Sequence, residues 1–216
     1  MAPVFSRSPR REVVDLGRTT YDAAQAVQEE RLRGVIAGEA DDTFVVAEFE
    51  PVVTLGRGAV GRAAEYAHLG IPVHEVSRGG KATFHGPGQL VVYPILKLEG
   101  EARDLHAYLH ALEEALIRAM EDFGLQAGRD PRNTGCWVSG RKVASIGVAV
   151  RKWVTWHGLA LNVATDLEWF RRFDPCGLDP EVMTTMAAEL GAAPEWGRVR
   201  DVVLERLERE LTGHPA

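Results

Sequence analysis

The stretch SRGGKATFHGPGQLVVYPI, residues 77–95, combines four glycines with side chains that can donate or accept hydrogen bonds. Those polar side chains belong to Arg78, Lys81, Thr83, His85 and Gln89. Glycine permits positive φ and lets the backbone approach a bound molecule closely. Because a dozen-residue connection in a compact domain is usually functional or disordered, the sequence predicts a binding loop before a buried strand. The pattern fits neither a phosphate-binding P-loop nor a dinucleotide fingerprint.

Two cysteines are the candidate nucleophiles. Cys176 lies in FDPCGLDP, where the flanking proline and glycine predict a loop. A thiol is reactive when it is accessible and its surroundings are electropositive, and the residues alone leave that open for Cys176. Cys136 lies in the apolar TGCWV and is predicted to be an inert core residue. No secretion signal is evident, so no disulfide between them is expected.

Two further segments combine small residues with a candidate catalytic group. Lys142 opens KVASIGVAV, in which Ser145 and Gly147 stand where a strand would normally carry bulk. His157 and Gly158 open the similar WHGLALNV. The small residues suggest that another group occupies the space beside these strands. Lys142 could equally be a solvated strand end, and His157 a structural histidine. No spacing of His, Cys and Asp predicts a metal site.

These candidates are carried by alternating helical and strand patterns. Helices are predicted over 21–39, 104–124, 166–173 and 196–213, and strands over 43–50, 71–78 and 90–98. A meander of three strands follows between 135 and 163. Pro94 restricts its strand to a sheet edge, a bulge or a distortion. Short turns between neighbouring strands predict an α+β fold with a mixed or antiparallel sheet flanked by helices.

The composition is that of a globular protein with a sizeable core. The 216 residues are 45% hydrophobic and 26% charged. The net charge of −6 argues against non-specific nucleic-acid binding. No apolar run approaches the roughly 20 residues of a membrane span, and the N-terminus lacks a signal peptide's apolar region, so a cytoplasmic protein is expected. Residues 1–12 are predicted to be a flexible arm and 13–216 a single domain.

Four segments, taken together, resemble the octanoyltransferase family, also called lipoyl(octanoyl) transferases or the lipoate-protein ligase B type. They are RGGKATFHGPGQLVVYPI, GRKVASIGVAV, WHGLALNV and PCGL, in the family's order and spacing. The resemblance runs from about Val13 to the last helix. It implies the α+β fold shared by lipoate- and biotin-protein ligases. Phe84 departs from the family, which commonly has tyrosine there.

The resemblance also implies the roles of individual residues. Cys176 matches the nucleophile that carries the acyl group as a thioester. Lys142 matches the lysine that lowers the cysteine's pKa and acts as general acid and base. The residues matching the acyl-substrate site are Arg78, Gly79, Gly80, Lys81, Ala82, Thr83, Phe84, His85, Ser145, Ile146, Gly147, Gly158, Leu159 and Ala160.

The implied reaction moves octanoyl from octanoyl-acyl carrier protein to a lysine of lipoyl domains, the first step of endogenous protein lipoylation. The implied acceptors are lipoyl domains of 2-oxoacid dehydrogenases and the glycine cleavage H protein, and no cofactor or metal is expected. His85 and backbone N–H groups near Gly177 are candidate oxyanion donors, and Arg171–Arg172 a candidate docking site for the acidic carrier. An ATP-dependent lipoate–protein ligase and a non-catalytic acyl-carrier-binding module are the alternatives; a cysteine hydrolase is favoured less.

Overall fold

The computed structural model describes residues 4–6, 11–173 and 179–212. Its larger sheet is mixed, because β1 runs parallel to β2 while the other neighbours are antiparallel. In spatial order its strands, numbered along the chain, are β1 (Glu12–Thr19), β2 (Thr43–Phe49), β6 (Gln89–Ile95), β10 (Val154–Asn162), β9 (Arg141–Arg151), β8 (Gly135–Val138) and β7 (Ala127–Gly128). The smaller sheet contains β4 (Val73–Glu75), β3 (Val52–Leu55) and β5 (Ala82–His85).

The helices confirm the predicted α+β class. They are α1 (Tyr21–Ala37), α2 (Leu105–Asp122), α3 (Glu168–Arg171), α4 (Met186–Leu190) and α5 (Trp196–Thr212). Asp104 caps α2, since its carboxylate accepts hydrogen bonds from the amides of His106 and Ala107. Within the helix Leu112 and Leu116 are buried, but Leu105 is exposed.

The large sheet separates two hydrophobic cores, because alternate side chains of a strand point to opposite faces. One face packs against α1 and includes Val45 and Val91. The other packs against α2 and α5 and includes Val46 and Val92. A third cluster lies between the small sheet and the segment around α3. The two sheets and their separate cores leave a junction at which side chains from both can meet.

Pro94 lies in β6, an interior strand, so of the three predicted alternatives the distortion is confirmed and the edge is wrong. The ladder between β6 and β10 ends at the pair Val92 and Leu159. Proline has no N–H to donate, and opposite this region His157 has a left-handed φ of 56°. The hydroxyl of Thr155 donates to the carbonyl of Pro94 at 2.8 Å. The distortion therefore sits beside the predicted site.

The predicted loop before the buried strand is not continuous. Its residues Ala82–His85 form β5, which pairs with β3.

Two residues of the predicted flexible arm pack against the domain. Phe5 and Ser6 are buried, and their amides both donate to the carbonyl of Leu211. The domain boundaries remain a prediction. Among the described residues no helix is long and apolar enough to cross a bilayer.

Candidate active site

A cleft lies where β9 and β10 meet the small sheet. Its empty volume is about 560 Å³, counted out to the solvent at its mouth. The segments predicted from widely separated parts of the sequence converge on it. The lining residues are Tyr21, Thr54, Arg78, Gly79, Gly80, Thr83, His85, Tyr93, Asn133, Lys142, Ser145, Ile146, Gly147, His157, Gly158, Leu159 and Ala160.

Eleven of the fourteen predicted substrate-contact residues are among these, and three are absent from the walls that the structure describes. The missing three are Lys81, Ala82 and Phe84. Strand alternation explains two of them, since Thr83 and His85 face the cleft and their neighbours on β5 face away. Phe84 instead stacks on Trp169, with ring centroids 5.1 Å apart, in the third core cluster. The residue that departs from the family's pattern therefore packs in a core.

The loop 78–81 is held tightly by its neighbours. The amide of Gly79 donates to Val148 of β9 at 3.0 Å, and the amide of Gly58 donates to Gly80 at 2.9 Å. A Cβ on Gly56 would lie 2.6 Å from the carbonyl oxygen of Gly80. Close packing of the loop thus requires glycine at position 56. The loop forms one wall of the cleft.

The predicted substrate-contact residues 145–147 on β9 and 158–160 on β10 lie side by side on these paired strands. Gly147 pairs with Gly158, and Ser145 with Ala160. The space beside both glycines is filled by the protein itself, so the other group predicted beside these strands is here a part of the chain. A Cβ on Gly147 would lie 3.0 Å from Cδ of Arg78, and one on Gly158 would lie 2.3 Å from the carbonyl oxygen of Val92.

Lys142 is buried with only 2% of its surface exposed, so its interpretation as a solvated strand end is wrong. Its ammonium donates a hydrogen bond to Oδ1 of Asn133. The Trp137 ring lies beside it, 5.8 Å from Nζ to the ring centroid. Its backbone carbonyl accepts the amide of Thr184 at 3.0 Å, which ties β9 to the chain that follows residues 174–178. The side-chain amine of Lys142 is therefore held in the cleft wall.

Cys136 is a buried core residue, in contrast to the proposed nucleophile Cys176. Cys136 has no exposed surface and lies in the core against α2, which confirms its predicted core position. Burial, reinforced by the negative charge of Glu113, raises the pKa of its thiol to about 12. Such a thiol is inert near neutral pH. Cys176 lies outside the described residues, so its role remains a prediction from the sequence.

Arg78 is the buried cation of the opposite wall. Its guanidinium donates to the carbonyl and to the hydroxyl of Thr54, both at 2.8 Å, and to the carbonyl of Gly79 at 3.0 Å. Its positive charge helps to lower the pKa of both histidines in the cleft, after burial, which is the larger cause. The cleft therefore holds a fixed positive charge beside neutral imidazoles.

His85 belongs to a chain of buried hydrogen bonds. Its Nδ1 lies 2.7 Å from Oε1 of Gln89, whose amide nitrogen donates to Asn162 at 2.9 Å. Since Oε1 can only accept, Nδ1 of His85 carries the proton, and Nε2 faces the Thr54 hydroxyl at 3.3 Å as an acceptor. Burial, reinforced by Arg78, lowers the pKa of His85 to about 4. A neutral ring in this tautomer has no Nε2 proton to offer an oxyanion, which argues against the oxyanion role suggested from the sequence.

Both buried histidines should make folding sensitive to mild acid. Burial, followed by the charges of Arg78 and His85, lowers the pKa of His157 to about 3. Because the unfolded chain takes up protons near pH 6.5 and the folded one does not, stability is complete above that pH and falls as pH drops toward 4. The expected slope is about 1.4 kcal/mol per pH unit for each histidine.

Urea unfolding between pH 7 and pH 4.5 measures this loss. His85→Gln should remove about half of the slope that the two histidines contribute, whatever its stability at pH 7. His106→Gln, at an exposed position of α2, is the matched control. An identical slope in wild type and His85→Gln would show that His85 does not resist protonation in the fold.

Four residues of the cleft were not predicted from the sequence: Tyr21, Thr54, Tyr93 and Asn133. Each comes from a different element, and Asn133 meets Lys142 only because a turn folds back on the start of β9. No local pattern marks these positions. Only the three-dimensional arrangement of the two sheets brings them to the site.

Comparison with known proteins agrees with this arrangement. Residues 20–208 match the model of the lipoyl protein ligase A/B catalytic domain. The chain belongs to this family. A relative called octanoyltransferase from Geobacter metallireducens is 48% identical over 192 residues, 89% of each chain. Another octanoyltransferase, from Rubrobacter xylanophilus, is 44% identical over 213 residues, 94% of this chain and 92% of its own.

Solved structures of lipoate- and biotin-protein ligases show the same fold. A lipoate-protein ligase A crystallised with ATP superposes with a TM-score of 0.79 at 16% identity, covering 94% of this chain and 85% of its own. A biotin protein ligase from Aquifex aeolicus superposes with a TM-score of 0.56 at 17% identity, covering 93% and 70%. The predicted fold shared with these ligases is thereby confirmed.

Proposed function

We propose that this chain transfers octanoyl from octanoyl-acyl carrier protein to a lysine of a lipoyl domain through a thioester on Cys176. Octanoyl transfer in protein lipoylation follows from relatives of that name at 37–48% identity. The covalent route is supported by one observation above all: the buried Lys142 lines the same cleft as most of the predicted acyl-binding residues. The proposed acceptors are lipoyl domains of 2-oxoacid dehydrogenases and the glycine cleavage H protein, in the cytoplasm.

The first step exchanges one thioester for another. The Cys176 thiolate attacks the octanoyl carbonyl carbon, a new C–S bond forms, and the carrier's sulfur leaves as a thiol with a proton from the Lys142 ammonium. A free thiol with a pKa near 8.5 is only about 3% thiolate at pH 7. An ammonium beside it stabilises the anion, and a shift of two pKa units corresponds to about 2.7 kcal/mol. Lys142 is the proposed source of that stabilisation.

The second step forms an amide. The acceptor lysine's amine attacks the Cys176 thioester, the C–S bond breaks, and the proton released by the amine must be removed. Lys142 is the proposed base, because acylation removes the negative charge that favours its ammonium form. An amide is more stable than a thioester, so the reaction runs downhill and needs no nucleotide.

Binding of the acyl chain fits the apolar part of the cleft. Ile146, Leu159 and Ala160 supply apolar surface on β9 and β10. About seven aliphatic carbons at ~0.8 kcal/mol each give roughly 5 kcal/mol if all are buried, before the cost of ordering the chain. Protein groups fill the space beside Gly147 and Gly158. We therefore propose that the acyl chain lies along these three side chains.

The proposed docking of the carrier at Arg171–Arg172 has weaker support than its sequence suggests. The Arg171 guanidinium pairs with Glu168 and also with Glu181, the latter at 2.7 Å. Arg172 lies over the Trp169 ring, 4.5 Å from its centroid. Because acidic partners offset Arg171, the pair offers less net positive charge to an acidic carrier than two unopposed arginines would.

The rival function is ATP-dependent ligation, which the fold alone would permit. Incubating the protein with octanoyl-acyl carrier protein and a lipoyl domain, with and without ATP, separates the two. The proposal expects octanoylated domain at the same rate in both. A second incubation supplies free octanoate and ATP in place of the carrier. If octanoylated domain forms only there, the activity is ligation and not transfer. Carrier binding without product would indicate the non-catalytic module.

A further inference from the structure

The side chain of Asn133 meets Lys142 inside the cleft. Asn133 lies in the turn between β7 and β8 and is half-buried, and both residues line the cleft wall. Its Oδ1 accepts a hydrogen bond from the Lys142 ammonium. This oxygen belongs to an uncharged amide, so the hydrogen bond itself brings no negative charge to the ammonium.

The turn that carries Asn133 is anchored on both sides. The Trp137 indole donates to the carbonyl of Asn133 at 3.0 Å. The amide of Gly135 donates to the buried Glu113 carboxylate at 3.0 Å, and Arg129 donates to the same carboxylate at 3.0 Å. Asn133 is therefore presented to the lysine by a braced piece of backbone.

Gly135 completes this arrangement by making room for the lysine stem. A Cβ at this position would lie 2.8 Å from Cε of Lys142 and 2.2 Å from the carbonyl oxygen of Ala144, at a φ of 148°. The turn thus passes directly against the lysine because it has glycine there. This segment therefore packs against the aliphatic stem of Lys142 and also hydrogen-bonds its ammonium.

We propose that Asn133 is a positioning residue for Lys142: its amide oxygen holds the ammonium in the cleft wall without neutralising it. The inference rests on the proposed function, in which Lys142 must first stabilise a thiolate, then give up a proton and act as a base. A carboxylate in place of the amide would oppose these tasks, because it would offset the positive charge and favour the ammonium form. A neutral acceptor fixes the side chain and adds no negative charge of its own.

The charged groups of the surrounding elements are compatible with this role. Glu113 of α2 is paired with Arg129, and at the start of β9 Arg141 is paired with Glu189 of α4. Arg78 lies in the same cleft, and His85 and His157 are neutral at pH 7. In the turn itself Asp130 is paired with Arg132. These described carboxylates already have cationic partners, so a new one at position 133 would act mainly on Lys142.

Asn133→Asp tests the proposal with an almost isosteric change. We expect octanoyl transfer to fall by about 10- to 100-fold, because a shift of one to two pKa units in the thiol or the lysine changes the reactive fraction by that factor. We also expect the apparent pKa for alkylation of Cys176 to rise by about one unit. The alkylation profile is followed by intact mass in a Cys136→Ala background. A purely structural role for Asn133 would leave this profile unmoved when Asn133 is replaced by alanine, which adds no charge.

Two further variants keep the test decisive. Gln126→Glu makes the same amide-to-carboxylate change at an exposed position just before β7 and should leave both readouts unchanged. Asn133→Ala removes the acceptor without adding charge. It should slow transfer and raise the apparent pKa for alkylation of Cys176 by less than the aspartate does. This variant tests the proposal if Asn133→Asp fails to fold. Wild-type transfer and alkylation profiles in the Asn133 variants would overturn the proposal. Failure of the wild type to become acylated would instead overturn the covalent mechanism.

Discussion

Cys176→Ala should lower octanoyl transfer by roughly 10⁴-fold or more, the scale seen when a catalytic nucleophile is removed. Without the thiolate no acyl-enzyme can form, and the acceptor amine would have to attack the carrier's thioester directly. The measurement is the initial rate of lipoyl-domain octanoylation with carrier-protein donor. Thermal unfolding of the variant, which should match that of the wild type, shows that the loss is chemical.

Cys136→Ala is the matched control for this result. It removes the other cysteine, which is buried in the core against α2 with a thiol pKa raised to about 12. The variant should lose some stability, on the order of 1 kcal/mol, and keep its transfer rate. Substantial activity in Cys176→Ala, or an equal loss in Cys136→Ala, would show that the nucleophile is wrongly assigned.

Lys142→Met should lower transfer by about 10²- to 10⁴-fold, the usual contribution of a positioned acid or base. Methionine approximates the lysine stem beside Trp137 while removing the charge, so packing is largely kept. Both half-reactions should slow, because the first loses thiolate stabilisation and the second loses its base. The apparent pKa for alkylation of Cys176 should rise toward about 8.5, the value of an unperturbed thiol.

Rapid mixing separates the two half-reactions of this variant. Acylation is followed with octanoyl-acyl carrier protein alone, and deacylation by adding lipoyl domain to the acyl-enzyme. Lys152→Met, at an exposed turn between β9 and β10, is the control and should behave as wild type. An unchanged alkylation profile in Lys142→Met would remove Lys142 as the activator of the thiol.

The sequence was sufficient to predict the elements whose signals are local. Asp104 predicts the start of α2 because capping depends on the residue beside the helix. Pro94 predicts a break in strand pairing because it lacks an N–H. The α+β class follows from the order of such elements, and the family resemblance added the shared ligase fold that the comparison with solved structures confirms.

What the sequence did not predict depends on contacts between distant segments. The strand Ala82–His85 is short and lies among glycines, so only its pairing with β3 defines it. Gly147 and Gly158 suggested that another group lies beside them, but not that Arg78 and β6 supply it from other parts of the chain. Asn133 reaches Lys142 across a turn, and a half-buried asparagine in a turn carries no local sign of that contact.

Intact mass spectrometry of the protein after incubation with octanoyl-acyl carrier protein alone tests the covalent mechanism most directly. The wild type should gain the mass of one octanoyl group, in a bond cleaved by hydroxylamine as thioesters are. Adding lipoyl domain should return the protein to its original mass as the domain gains the same increment. A lipoyl domain octanoylated at full rate by a protein that never carries the group, and whose Cys176→Ala variant is equally active, would contradict it.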